Sequence, residues 1–217
     1  ARWIMSGFHH HDHKHENSSS LTDIETRVKA LESVLVSKGL VEREAINAII
    51  EHFENKVGPH IGARVIARAW VSPDFKRSLL ADATKTINDD ADFPEVGQHL
   101  IAIENTDEIH NVVVCTLCSC YPWDILGLPP VWYKSAPYRS RIVRNPRSVL
   151  KEFGLDLSDD NKIRIWDSTA ETRYLVIPRR PIGTESYSEG ELANLVTRDS
   201  MIGTSEIPSA RGVDSNG

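Results

Sequence analysis

The chain has 217 residues, 40% of them hydrophobic, and a formal net charge of −6. This length suits one large domain or a domain with an appendage. The acidic charge argues against non-specific nucleic-acid binding. No stretch approaches the roughly 18 apolar residues of a membrane span. Because three cysteines are too few for a disulfide framework and no apolar secretory segment is visible at the N-terminus, we expect a cytoplasmic protein with free thiols.

The first 88 residues divide into a histidine-rich tail and a helical arm. Residues 1–20 hold five of the nine histidines between His9 and His15, and we predict that they are disordered and take no part in catalysis. Residues 21–88 form the arm, where a capping box at Thr22 begins the first helix and Gly39 ends it. Three more helices are predicted at Glu42–Lys56, Ile61–Trp70 and Pro73–Thr84. Such an arm is more often a packing or interface element than an active site.

The pattern of the chain changes after the turn-rich segment Asp89–Gln98. Strands are predicted at Leu100–Ile103 and Val112–Val114, and helices at Pro146–Phe153 and Glu189–Thr197. Lys162–Trp166 and Thr172–Ile177 alternate between apolar and polar residues on either side of a short polar segment, which predicts a β-hairpin. The sequence therefore predicts an α+β domain at residues 89–205, followed by a second disordered tail at residues 206–217.

All three cysteines lie within six consecutive positions, Cys115-Thr116-Leu117-Cys118-Ser119-Cys120. A β-branched run leads into them and favours a buried strand, whereas Pro122 follows closely and ends any regular element. We therefore expect the cysteines on an irregular loop at the end of a strand, where rigid folds commonly place chemistry. This segment is called the cysteine loop below.

The spacing in the cysteine loop allows one metal ion to bind four donors in a plane. The covalent path between the sulfurs of Cys118 and Cys120 contains the amide nitrogens of Ser119 and Cys120, and a metal that binds all four closes only five- and six-membered rings. Cys115 can then reach an axial position, while a sixth position stays open for water or substrate. Amide nitrogens bind only after losing their protons, which requires a strongly Lewis-acidic metal such as trivalent cobalt or iron.

Other chemistries of clustered cysteines stay open at this point. Cys115 and Cys118 form half of a structural zinc site, whose other half would need distant histidines such as His60 or His110. The same pair matches a redox motif, although that motif normally opens a helix and the nearby Pro122 does not suit one. Most free cysteines in proteins are buried and chemically inert, but three cysteines within six positions are not typical of that role.

The cysteine loop and its flanks resemble the α subunit of nitrile hydratase. Val114–Cys120 (VCTLCSC), followed by Tyr121-Pro122-Trp123, is similar to the metal-binding signature of that family. Further similar blocks follow in the family's order, at Ile125–Pro130, Trp132–Lys134, Tyr138–Arg139, Trp166–Ser168, Arg173–Tyr174 and Val196–Gly203. With the upstream block VGPHIGARVIARAW, the resemblance covers about residues 22–203 and implies a layered α-β-β-α domain behind a helical arm.

The resemblance implies an enzyme that hydrates a nitrile to the amide at one low-spin Co(III) centre per chain. The sulfurs of Cys115, Cys118 and Cys120 would be ligands, together with the amide nitrogens of Ser119 and Cys120. Cys118 would be oxidised to sulfinic acid and Cys120 to sulfenic acid, which makes these two the expected catalytic residues. Thr116 favours cobalt over Fe(III), because iron members of the family carry serine at that position of the signature.

Further residues take expected roles from the resemblance. Trp123 resembles the family's pocket-lining tryptophan, and Thr116 would lie beside it in the substrate pocket. Arg173, Asp167 and Glu171 match positions that support the metal ligands or face a partner subunit. A basic patch of Arg139, Arg141, Arg144 and Arg147 is interpreted either as a local source of donors to oxidised cysteines or as a solvated or subunit-facing surface.

The resemblance also implies that a second chain completes the site. The expected partners are a β subunit, in an αβ heterodimer or α2β2 assembly, an activator protein that loads cobalt, and a small nitrile substrate. The metal-bearing γ subunit of thiocyanate hydrolase shares the cysteine signature and is an alternative, although that family has arginine where this chain has Trp123. A non-catalytic zinc or redox-sensing module is an alternative of another class.

Overall fold

The computed structural model describes residues 23–51 and 57–208, and contacts divide the chain into two units, residues 1–48 and 49–217. The first unit holds helix α1 (Asp23–Ser37) and the start of helix α2 (Arg43–Glu51), which confirms two predicted helices. Gly39 lies between them with φ of 63°, at the predicted stop of the first helix. The predicted tail at residues 1–20 lies outside the described residues, as does the predicted tail at residues 206–217 from residue 209 onward.

Three helices open the second unit, namely α3 (Pro59–Val71), α4 (Pro73–Ala81) and α5 (Ala83–Asn88). The prediction of one helix from Pro73 to Thr84 is wrong. Asp82 ends α4 and caps α5, because its carboxylate accepts a hydrogen bond from the backbone N–H of Lys85 at 3.0 Å. The boundary predicted between residues 88 and 89 falls within this unit and stays a prediction.

Four strands follow, namely β1 (His99–Glu104), β2 (Ile109–Val114), β3 (Lys162–Asp167) and β4 (Thr172–Ile177). β1 pairs with β4 and β2 pairs with β3, both in parallel, so that the described strands form two small sheets. The predicted hairpin between β3 and β4 is therefore wrong, since residues 168–171 carry the chain from one sheet to the other. Alternation along a strand shows which face is buried, but it does not show the partner strand.

Six more helices complete the described fold, namely α6 (Trp123–Leu126), α7 (Val131–Lys134), α8 (Ala136–Ile142), α9 (Pro146–Glu152), α10 (Glu189–Leu195) and α11 (Arg198–Ile202). The predicted helix Glu189–Thr197 is confirmed as α10, although it ends at Leu195, two residues earlier than predicted. The side chain of Thr197 instead accepts a hydrogen bond from the backbone N–H of Ser200 at 3.2 Å and caps α11.

The strands lie in layers between helices. Helices α4 and α5 lie beside β1, helix α9 lies beside β3, and β2 lies next to β4. The apolar side chains of these elements form one buried core. This arrangement confirms the predicted layered α+β fold. None of the helices within the described ranges is long and apolar enough to cross a membrane.

A buried polar network fixes the start of β2. His110 Nε2 donates to the carbonyl of Gly203 at 2.7 Å, and the backbone N–H of Asn111 donates to Asn105 Oδ1 at 2.8 Å. Burial lowers the pKa of His110, so that its ring is neutral and Nδ1 can accept from the Asn105 amide at 3.4 Å. Trp166 Nε1 donates to Asn111 Oδ1 at 2.9 Å. The network thus ties β2 to β3 and to the end of α11.

We predict that Gly203→Ala strongly destabilises the fold. Gly203 has φ of 86°, and a Cβ at this position would overlap the carbonyl oxygen of Asn111 at the start of β2. Gly154→Ala is the matched control, since Gly154 has φ of 85° but open space around the added Cβ. In chemical denaturation we expect Gly154→Ala to lose about 1–2 kcal/mol and Gly203→Ala on the order of 4 kcal/mol. Equal losses would contradict the assigned backbone contact.

Candidate metal centre

The cysteine loop begins where β2 ends. The parallel register pairs Val114, the last residue of β2, with Asp167, the last residue of β3. Cys115 follows directly and is buried, whereas Cys118 is exposed and Cys120 is half-buried. The loop itself belongs to no helix or strand, as its sequence predicts. The fold therefore places the three thiols together at one end of the β2–β3 sheet, with Cys118 the most exposed of them.

The three sulfur atoms of the loop form one cluster. Cys118 Sγ lies 3.3 Å from Cys115 Sγ and 3.1 Å from Cys120 Sγ. All three sulfurs lie within 4.8 Å of one another. The loop folds back on itself locally, because the backbone N–H of Cys118 donates to Cys115 Sγ at 3.2 Å. Three soft donors that converge in this way support a metal centre.

Two of the three sulfur–sulfur distances can be compared with those expected for two kinds of metal site. Metal–thiolate bonds of about 2.3 Å place two sulfurs about 3.3 Å apart when the bonds meet at a right angle, and about 3.8 Å apart at a tetrahedral angle. The observed 3.3 Å and 3.1 Å agree with the right angle of an octahedral or planar ion. The donor set therefore fits the predicted trivalent metal better than tetrahedral zinc.

The histidines proposed to complete a zinc site do not support that alternative. His110 is the second residue of β2 and lies five residues before Cys115, and five residues of strand span roughly 16 Å. Both of its ring nitrogens are also engaged, with Gly203 and Asn105. Within the described ranges, the cluster of potential metal ligands around the loop consists of the three cysteines without a histidine.

The clustered thiols shift each other's ionisation. Hydrogen bonds from Cys120 and then from Cys115 stabilise the thiolate of Cys118 and lower its pKa to about 7. Burial raises the pKa of Cys120 to about 12, and the interaction with Cys118 adds to this increase. The positive charge of Arg173 acts in the opposite direction. The exposed Cys118 thus ionises more readily than Cys120, and a thiolate is the form that binds metal.

Side chains from β3 hold the beginning of the loop. The carboxylate of Asp167 accepts hydrogen bonds from both the hydroxyl and the backbone N–H of Thr116, the latter at 2.9 Å. The backbone N–H of Ser168 donates to the carbonyl of Val114 at 2.7 Å. The structure thus brings together Asp167 and Thr116, two of the predicted site residues, as an anchor and its partner.

Side chains from two other elements hold the end of the loop. The hydroxyl of Tyr133, on α7, donates to the carbonyl of Cys120 at 2.9 Å. Arg173, on β4, donates from Nε to the carbonyl of the next residue, Tyr121, at 3.3 Å. Another guanidinium nitrogen of Arg173 donates to the carbonyl of Thr169. The predicted supporting role of Arg173 thus has a contact in the structure, whereas Tyr133 was not predicted.

The remaining predicted residues contact different parts of the structure around the cysteine loop. Glu171 accepts a hydrogen bond from the hydroxyl of Thr169 at 3.0 Å, in the connection between β3 and β4. Arg139 donates to the carbonyl of Thr116 at 3.3 Å. Arg141 pairs with Glu152. Of the basic patch, Arg139 therefore contacts the cysteine loop, while Arg141 joins α8 to α9.

An open depression of about 340 Å³ lies over the exposed sulfurs. Its lining is Gln98, Cys118, Ser119, Cys120, Tyr121, Trp123 and Arg173. Trp123 is half-exposed here, as expected for a pocket residue, and Gln98 was not predicted because a glutamine next to a strand has no distinctive sequence signal. Thr116 instead lines a separate depression with Arg139 and Arg144, so its place in a substrate pocket stays a prediction.

Comparison with known proteins identifies relatives of the chain. A family model described as nitrile hydratase, alpha chain, matches residues 22–205. The chain is 55% identical over 183 residues to the low-molecular weight cobalt-containing nitrile hydratase subunit alpha of Rhodococcus rhodochrous, across 84% of this chain and 88% of that protein. It is 52% identical over 182 residues to the cobalt-containing nitrile hydratase subunit alpha of Pseudonocardia thermophila, across 83% and 89% of the two chains.

The relatives of the chain also include solved structures and a thiocyanate hydrolase subunit. A double mutant of the Fe-type nitrile hydratase from Comamonas testosteroni Ni1 matches with a TM-score of 0.80 and 41% identity, across 89% of this chain and 95% of that chain. The thiocyanate hydrolase subunit gamma of Thiobacillus thioparus is 39% identical over 194 residues, across 84% of this chain and 79% of that protein. The two cobalt-containing subunits are thus more similar to this chain than the hydrolase subunit is.

We predict that Asp167→Asn weakens metal retention at the cysteine loop. An amide replaces one acceptor oxygen by an NH₂ group, which cannot accept from Thr116, and residues that orient ligands typically change metal affinity by on the order of tenfold or more. Cobalt content after dialysis against a chelator is the measurement. Asp159→Asn is the control, because it removes the same charge from a fully exposed side chain. Equal cobalt contents in both variants would contradict the role of Asp167.

Proposed function

The chain belongs to the nitrile hydratase α-chain family, and we propose that it is the metal-bearing subunit of a cobalt nitrile hydratase, which hydrates R–C≡N to R–C(O)NH₂. The observation that carries the proposal is the convergence of three cysteine sulfurs at right-angle spacing, 3.3 Å and 3.1 Å apart, in an open depression. The 55% identity to a cobalt-containing subunit and Thr116 in the signature favour cobalt over iron.

The proposed ligands are the sulfurs of Cys115, Cys118 and Cys120 and the amide nitrogens of Ser119 and Cys120. Trivalent cobalt, when bound, would act as a Lewis acid toward the nitrile or toward water. The chain's own contribution is to hold these donors in place. Asp167 fixes the entry of the loop through Thr116, and the exit is fixed at the carbonyls of Cys120 and Tyr121.

We propose further that Cys118 carries a sulfinic acid and Cys120 a sulfenic acid. The exposure of Cys118 supports its oxidation by an external oxidant such as dioxygen or peroxide, which would supply the added oxygen atoms, since oxidation follows access to the thiol. The Cys120 sulfenate oxygen would then act as nucleophile toward the nitrile or as base toward water. Arg173 lies close enough to Cys120 for its positive charge to favour an anion there.

The surface around the loop supports the expected β-subunit partner. Leu117 at the tip of the loop is 89% exposed and Val131 at the start of α7 is 87% exposed. Exposed apolar side chains beside a charged site are typical of an interface that a second chain covers. Apolar residues of α1, such as Leu31 and Val34, are also exposed, which supports the proposal that the arm binds this partner. Cobalt loading by an activator protein belongs to the same proposal.

Trp123 supports a neutral nitrile rather than the thiocyanate anion as substrate. It lines the depression above the sulfurs as an apolar indole face, whereas an anionic substrate would favour a cationic side chain. The 39% identity to a thiocyanate hydrolase subunit keeps that enzyme as the second candidate. Both candidates share the cysteine cluster, so substrate turnover must separate them.

We expect the complex of this chain with its β subunit to convert acrylonitrile to acrylamide and to leave thiocyanate unchanged. Chromatography of the amide and ammonia release from thiocyanate measure the two reactions. The peptide 111–134 from the same preparation should carry three added oxygen atoms on Cys118 and Cys120 in its mass spectrum. Turnover of thiocyanate alone, or one zinc per chain with unoxidised cysteines, would contradict the proposal.

Ser119 provides a test of backbone ligation. We expect Ser119→Ala to keep cobalt, because the proposed donor is the backbone nitrogen and the side chain can be lost. Ser119→Pro should lose cobalt, because the proline nitrogen carries no proton to give up and cannot bind as an amide anion. Metal content after chelator treatment is the measurement, with the melting temperature as the check on folding. Full cobalt retention by a folded Ser119→Pro variant would exclude this nitrogen as a ligand.

A further inference from the structure

We propose that Tyr133 is a positioning residue of the metal centre, whose hydroxyl fixes the orientation of Cys120. The inference rests on the proposed function, because it assigns Cys120 two of the metal donors, its sulfur and its amide nitrogen. The observation behind it is the hydrogen bond of 2.9 Å from the Tyr133 hydroxyl to the Cys120 carbonyl.

The position of Tyr133 is itself rigidly determined. Its side chain is fully buried, and its ring lies edge-on to Tyr121, with ring centroids 5.1 Å apart. Trp132 and Tyr138 contact it at centroid distances of 6.0 Å and 5.9 Å. A donor held in this way restricts the direction of the loop carbonyl that it contacts.

A second buried tyrosine holds the chain just before the loop. Tyr138 donates from its hydroxyl to the carbonyl of Val113 at 2.8 Å. Val113 lies inside β2 and pairs with Trp166 in the parallel ladder, so its backbone is held by the sheet as well. Cys120, in contrast, lies in neither a helix nor a strand. Loss of the hydroxyl should therefore move the backbone at Cys120 but not at Val113.

The direction of the Cys120 carbonyl bears on the metal donors through the backbone. Rotation about the Cα–C bond of Cys120 moves the carbonyl relative to the nitrogen and the sulfur of the same residue. With the carbonyl held by Tyr133 and the next carbonyl, of Tyr121, held by Arg173, this rotation is restricted from the exit side of the loop. Second contacts of this kind typically change metal affinity or activity by about 10- to 100-fold.

The test compares Tyr133→Phe with Tyr138→Phe in the cobalt-loaded complex with the β subunit. Each variant loses one buried hydroxyl and keeps its ring, so the melting temperatures should fall by similar amounts. We expect only Tyr133→Phe to shift the sulfur-to-cobalt charge-transfer absorption and to lose cobalt to a chelator on the order of tenfold faster. Its kcat should fall more than its KM changes, because the donors and not the pocket walls are displaced.

A merely structural role would give a different result. Equal spectra, equal cobalt loss and wild-type kcat in both variants, or equal defects in both, would overturn the inference. Failure of the wild-type complex to bind cobalt would instead count against the proposed function. If Tyr133→Phe does not load, hydrogen exchange of peptide 116–123 in the full-length metal-free chain decides. We expect faster exchange in Tyr133→Phe than in wild type and Tyr138→Phe, and unchanged exchange would overturn the inference.

Discussion

The parallel pairing of β2 with β3 is the constraint on which the site depends. The register places Val114 opposite Asp167, so the strand that delivers the first cysteine ends beside the carboxylate that anchors the loop. A slip of one residue would turn Asp167 to the other face of the sheet. The hydrogen bonds from Trp166 to Asn111 and from His110 to Gly203 tie β2 to β3 and to the end of α11, which helps to keep the strands in this register. The entry of the cysteine loop is thus set by a sheet of two described strands.

Much of this organisation could be predicted from the sequence, but strand pairing could not. The cysteine spacing and the β-branched run before it predict a loop at a strand end, because both signals are local. The partner of β3 is a non-local choice, and a polar segment between two alternating runs favours a hairpin in the absence of tertiary information. Tyr133 was missed for a related reason. A buried tyrosine near a helix has the same pattern whether its hydroxyl serves packing or a loop carbonyl.

The contacts around the loop are arranged so that the sulfurs remain available. Asp167, Tyr133 and Arg173 all bind backbone groups or the Thr116 hydroxyl, and none of these bonds occupies a thiol. The scaffold therefore determines where the thiols lie without competing for their lone pairs. Such preorganisation lowers the conformational cost of binding a metal, because the loop does not have to be ordered by the metal itself.

The same arrangement bears on the proposal that a β subunit completes the site. Two oxidised cysteines would place anionic oxygens in a depression that is open to solvent. The guanidinium of Arg173 lines the same depression but donates its hydrogen bonds to the carbonyls of Tyr121 and Thr169. Anions of this kind need charge-assisted donors, and electrostatic catalysis strengthens when water is excluded. The exposed side chain of Leu117 at the loop tip offers an apolar surface to a second chain that would exclude water from the depression. In the proposed complex, the partner chain would supply both these donors and the cover over the depression.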